Sequence, residues 1–131
     1  MSFALQKYRS TRTTTVSPLQ VLVQLYDGAL RFLRTAEQAI EAGKPADKGV
    51  ALSKAHAIVS ELQATLDDSQ APELCAQLHA LYDFALDQIT QANIHNDATP
   101  LPGVIKVLSE LREGWAELAA QQHGTPKVGA A

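Results

Sequence analysis

Several things this 131-residue chain lacks narrow its function before any motif is read. It has one cysteine, Cys75, so no internal disulfide can form. That fits a reducing compartment, and Cys75 itself reads as a small buried hydrophobe. No apolar run approaches the ~20 residues of a membrane span without a charged or amide interruption. Met1 to Arg9 contains no apolar stretch of the kind a secretory signal needs, so a soluble, cytoplasmic protein is expected, with no membrane insertion. Cations are not in excess: 11 Lys+Arg stand against 14 Asp+Glu, a net charge of −3. No helical face interleaves basic and aromatic residues, so nucleic acid is not an expected partner. No segment alternates at period two, and no strand is assigned.

Catalytic chemistry is missing as well. His56, His79, His95 and His123 are scattered along the chain, mostly toward polar faces. No Glu-x-x-His pair projects inward, and there is no His-Glu-x-x-His, Cys-x-x-Cys or glycine-rich phosphate loop. The expectation is a protein that is not an enzyme, with no cofactor and no metal.

What the chain does have is helical periodicity. Ser17 is placed to cap a first helix from about Pro18 to Ala42, with Pro18 at its first position and Gly43 just past its end. A second helix is expected at 47–66, a third at 72–95 opening on Pro72, and a fourth at 101–122. Short connections between helices of similar length predict an all-α, antiparallel four-helix bundle over residues 17–122. Residues 1–16 are Thr-rich and basic, with Phe3, Leu5 and Tyr8 able to dock, and read as a flexible N-terminal arm. Residues 123–131 read as a disordered tail.

The first helix has more apolar surface than a surface helix needs. Leu19, Leu22, Val23, Tyr26, Ala29, Leu30, Leu33 and Ile40 share one face. A second line, Val21, Leu25, Gly28 and Phe32, widens the apolar arc to about 220°, against about 100° for an ordinary amphipathic helix. Either this helix sits between two neighbours, or the extra line meets a partner. Gly28 leaves a notch in it, which suits close packing of another helix or a bulky incoming side chain.

Leu25-Tyr26-Asp27-Gly28-Ala29-Leu30 is echoed 56 residues later by Leu81-Tyr82-Asp83-Phe84-Ala85-Leu86. The first and third helices thus carry one wheel pattern, as diagonal members of a bundle could. Tyr26 and Tyr82 fall on core faces, and each hydroxyl is expected to be satisfied at the bundle edge.

Taken together, Ser17-Pro18-Leu19, Leu25-Tyr26-Asp27-Gly28-Ala29, Phe32-Leu33, Lys54-Ala55, Ile58-Val59, Leu81-Tyr82-Asp83, Ala92-Asn93 and Leu111-Arg112 with Trp115 resemble the flagellin export chaperone family, the FliS-type proteins. Two places depart from that pattern: Asp67 to Pro72 stands where a Gly-rich turn is common, and Val16 where a small residue is usual. The resemblance implies a cytoplasmic bundle that binds the C-terminal segment of flagellin, prevents premature polymerisation and delivers it to the export gate of the flagellar type III secretion apparatus. It also implies that the N-terminal arm covers part of the client groove and that Tyr8 bears on client binding. Combined with the wide arc, this nominates Tyr8, Val21, Leu25, Gly28 and Phe32 as partner-binding residues. The competing expectation is a scaffold bundle with a different protein client, or one whose extra apolar surface makes a homodimer.

Overall fold

The computed structural model describes residues 17–122, which form four α-helices and, among those residues, no strand. They are α1 (Pro18–Glu41), α2 (Pro45–Ala64), α3 (Pro72–His95) and α4 (Leu101–Gln122). The expected arm and tail, Tyr8 included, lie outside the described residues.

Local sequence sets the ends. The Ser17 hydroxyl accepts from the Gln20 amide at 3.1 Å, while the Gln20 side chain accepts from the Ser17 amide at 3.1 Å. This reciprocal box satisfies two otherwise orphaned donors. At the other end of α1, Gly43 adopts φ +69, and the amides of Gly43 and Lys44 reach back to Ile40 and Ala39. Such a left-handed position carries little steric penalty for glycine. The end of α3 repeats the device with Asn96 at φ 51 and the Asp97 amide on the Ala92 carbonyl.

One boundary differs from expectation. Pro45 does not merely follow α1; it opens α2, two residues earlier than expected, and α2 ends at Ala64 rather than Leu66. Proline cannot continue the helix before it, yet its fixed φ suits the first position of the helix after it.

Each helix packs against its two sequence or ring neighbours: α1 on α2 and α4, α3 on α2 and α4. The diagonal helices make no close backbone approach. Leu33, Leu52, Val59, Leu62, Ile89, Leu101, Val104 and Leu108 fill the centre with alanines between them. Burying each such side chain contributes about 1.5–3 kcal/mol. Ala29, Ala36, Ala55, Ala85 and Ala92 are fully buried, so the helices meet along lines of small residues.

This arrangement accounts for the wide arc of α1. Val21 and Leu25 are buried, 3% and 8% exposed, and are not spare surface beyond the core. A helix wheel measures apolar width but not how many neighbours a helix has, and α1 has two.

Candidate functional site

The middle of the bundle is polar at one point. The Tyr26 and Tyr82 hydroxyls hydrogen-bond to each other, joining α1 to its diagonal partner α3. The indole Nε1 of Trp115 on α4 donates to the Tyr26 hydroxyl at 3.1 Å. Burial pushes both phenols above their ordinary pKa; for Tyr82 the neighbouring Tyr26 adds to the rise, while for Tyr26 the two hydrogen bonds offset part of it. The hydroxyls therefore meet inside the bundle and not at its edge, as the sequence had suggested. Two phenols at equivalent points of an echoed motif, both facing inward, have each other as the nearest polar partner.

The aspartates of the same motifs point outward and hold the ring of helices together. Asp27 of α1 accepts from Arg112 Nε of α4 at 2.8 Å. Asp83 of α3 accepts from Gln63 Nε2 of α2 at 2.7 Å. The two Tyr-Asp dipeptides thus do equivalent work in each half, a tyrosine toward the centre and an aspartate toward a neighbouring helix.

Of the nominated residues, Val21, Leu25 and Gly28 are buried and Phe32 is half-buried. A Cβ at Gly28 would stand 3.3 Å from Ile58 Cδ1, so the notch is filled by α2. Phe32 is different. Its ring lies between α1 and α2, with the Arg31 guanidinium 5.3 Å and the Lys54 ammonium 5.4 Å from the centroid. Beside it opens a cavity of about 460 Å³ lined by Thr35, Gln38, Ala39, Lys44, Asp47, Val50, Ala51 and Lys54 among others. Val50, 55% exposed, adds apolar surface to its mouth.

A second apolar surface lies on the other hairpin. Leu74 and Phe84 of α3 and Leu118 of α4 are exposed, and Phe84 lies over Gly103 of α4. Helical spacing puts Leu74, Leu81 and Phe84 on one stripe and Gly103, Val107 and Leu118 on another, flanking the α3–α4 seam.

Lys54, Ile58, Arg112 and Trp115 belong to the family pattern in sequence, which by itself assigns them no contacts. Arg112 is 85 residues from Asp27, and no local signal joins the two. Val50 carries no signal in the sequence, since its exposure depends on the turn of α2 beside α1. Among the described residues no group of three or more His, Cys, Asp or Glu could hold a metal ion, and no helix is long and apolar enough to cross a membrane.

The family model described as "Flagellar protein FliS" matches residues 1–122. A flagellar secretion chaperone FliS of Bacillus subtilis (strain 168) is 36% identical over 110 residues, covering 84% of this chain and 81% of that protein. The flagellar secretion chaperone FliS of Salmonella typhimurium is 37% identical over 106 residues, covering 80% and 78%. A crystal structure of a flagellar chaperone from bacteria superposes with a TM-score of 0.75 over 90% of this chain and 96% of that one; at 23% identity it speaks for the fold alone. The four-helix fold, the echoed Tyr-Asp motifs and these matches agree: the chain belongs to the FliS family of flagellar secretion chaperones, proteins that act by binding and not as enzymes.

Proposed function

We propose that this protein binds the C-terminal segment of flagellin in the cytoplasm, prevents its premature polymerisation and delivers it to the export gate of the flagellar type III secretion apparatus. The observation that carries the reading is the match, over about four-fifths of each chain, to relatives named flagellar secretion chaperones. The apolar surface around Phe32 and Val50 supports it physically. An amphipathic segment laid in a groove between two helices buries its apolar face and gains from that burial. A segment that folds on binding buries about 1,000–3,000 Å² and must offset roughly 2–5 kcal/mol of ordering.

Within this reading Phe32 presents the client-binding face, with Gly28 one turn before it against Ile58 of α2 and with Leu25 and Val21 carrying the same line of α1 further from the cavity. Tyr8 keeps the role that the family resemblance implies for it. Because Leu25 is buried in the core cluster, a charge placed there tests folding before it tests binding. Phe32 is the position to change.

The reading is tested by mixing the purified chain with the C-terminal segment of flagellin from the same organism. A stable complex by size-exclusion chromatography, together with flagellin that no longer polymerises in its presence, is the expected result. Flagellin that polymerises unaffected by a tenfold excess of folded chain would contradict it. A second reading, association of two copies, has one observation in its favour: the exposed Leu74, Phe84 and Leu118 along the α3–α4 seam. Sedimentation equilibrium over a hundredfold concentration range separates the two.

A further inference from the structure

The four seams of the bundle are not equal. Of the adjacent pairs, α3 and α4 approach each other least along their lengths. The echoed motif gives a reason. Where it puts Gly28 against Ile58 in the α1–α2 seam, it puts Phe84 beside Gly103 in the α3–α4 seam, and a ring there holds two backbones apart. α4 itself is divided. Its first half buries Leu101, Val104 and Leu108. Beyond Leu108 only Ala119 is buried, while Leu111 and Trp115 are half-buried and Leu118 is exposed. Two polar contacts tie this second half to α1: Arg112 Nε donates to Asp27 at 2.8 Å, and Trp115 Nε1 donates to the Tyr26 hydroxyl at 3.1 Å. Gly114 stands between them, with open space where a Cβ would be, and weakens the helix at that point.

A segment with little buried apolar surface, one weak seam and polar fastenings is the kind that opens before the rest of a fold. We propose that residues 109–122 open from the bundle as one unit while α1, α2, α3 and the first half of α4 stay folded, with Arg112–Asp27 and Trp115–Tyr26 as the latch that holds them closed. The two contacts break together, because Tyr26 and Asp27 are adjacent in α1 and Arg112 and Trp115 lie about one turn apart in α4. A helix of that length detached from its neighbours is marginal in water, so the released half also unwinds. Opening strands neither buried phenol, since Tyr26 and Tyr82 keep each other. It uncovers Leu111, Trp115 and the Tyr26 side of α1, a transient apolar face that the closed bundle does not show. The device follows from packing alone and does not depend on what the protein binds.

Native-state hydrogen exchange of the full chain, read residue by residue by NMR at several low urea concentrations, tests this. Amides from Glu113 to Leu118 should exchange as a block, about tenfold or more faster than the slowest amides of α1 and α2 and with a smaller urea dependence. Asp27→Asn weakens the latch from the other helix and should speed the block about two- to fourfold. Ile58→Val trims a contact in a seam that stays closed. It should speed the slowest amides of α1 and α2 about two- to tenfold and leave the block unchanged, because the opened form keeps that seam. A block as slow and as urea-dependent as the slowest amides would overturn the proposal. Fast exchange confined to residues 119–122 would be ordinary fraying and would overturn it too. A block unchanged by Asp27→Asn would remove the latch, and a block sped by Ile58→Val as much as the slowest amides would mean that it opens only with the whole chain; either result contradicts the proposal.

Discussion

The hydroxyls of Tyr26 and Tyr82 hydrogen-bond across the diagonal of the bundle, joining two helices that make no close backbone approach of their own. Tyr26 is the hub, because it also accepts the Trp115 indole. A buried polar pair of this kind fixes how four similar helices are set against each other, since displacing α1 along α3 strands both hydroxyls.

Removal of the two hydroxyls is predicted to be unequal. Tyr26→Phe leaves the buried Tyr82 hydroxyl without a partner and should cost about 2–3 kcal/mol. Tyr82→Phe leaves Tyr26 with Trp115 and should cost about 1 kcal/mol. The double variant should cost less than the sum, because no hydroxyl is then stranded. Urea denaturation of the three variants measures all of this.

The same pair sets an alkaline limit on stability. Both phenols have pKa values raised by burial, so above about pH 10 the unfolded chain loses protons that the folded chain retains. Their contribution is complete below that pH and declines above it, by up to about 1.4 kcal/mol per pH unit for each tyrosine. Unfolding free energies between pH 9 and 11 should fall in the native chain and fall less steeply in the double Phe variant.

Gly28 offers a test of the α1–α2 contact. A Cβ there meets only the end of the Ile58 side chain at 3.3 Å, which can turn aside. Gly28→Ala should therefore be neutral or stabilising by up to about 1 kcal/mol, from helix propensity. Gly28→Val has no such escape and should destabilise by about 1–3 kcal/mol through overpacking. Thermal melts followed by circular dichroism distinguish the two.

The Asp27–Arg112 pair is half-exposed, so its geometry at 2.8 Å overstates its energy. Asp27→Asn should cost less than about 1 kcal/mol, and 1 M salt should abolish most of the difference.

Much of this was legible beforehand because helices announce themselves locally. Ser17-Pro18, Pro72 and the break after Asn93 mark ends in sequence, and the structure puts helix ends close to them. The Tyr-Asp echo was visible as well, but where the two phenols meet was not, since that depends on how diagonal helices are registered. Pro45 was misplaced because proline signals both the end of one helix and the start of the next. Width on the α1 wheel does not separate the line further: Val21, Leu25 and Gly28 are buried while Phe32 is half-buried, and that difference depends on what packs over each position. The cavity beside Phe32 needs Val50, Ala51 and Lys54 from another helix, and no property of α1 alone could have shown that.

The central claim is that the α1–α2 face around Phe32 receives the C-terminal segment of flagellin. It is tested most directly by titrating that segment into the native chain and into Phe32→Asp, each verified as folded by circular dichroism. The account predicts a saturable complex with the native chain and at least a tenfold loss of affinity in the variant, with helicity unchanged. Equal affinity for the two folded proteins would contradict it.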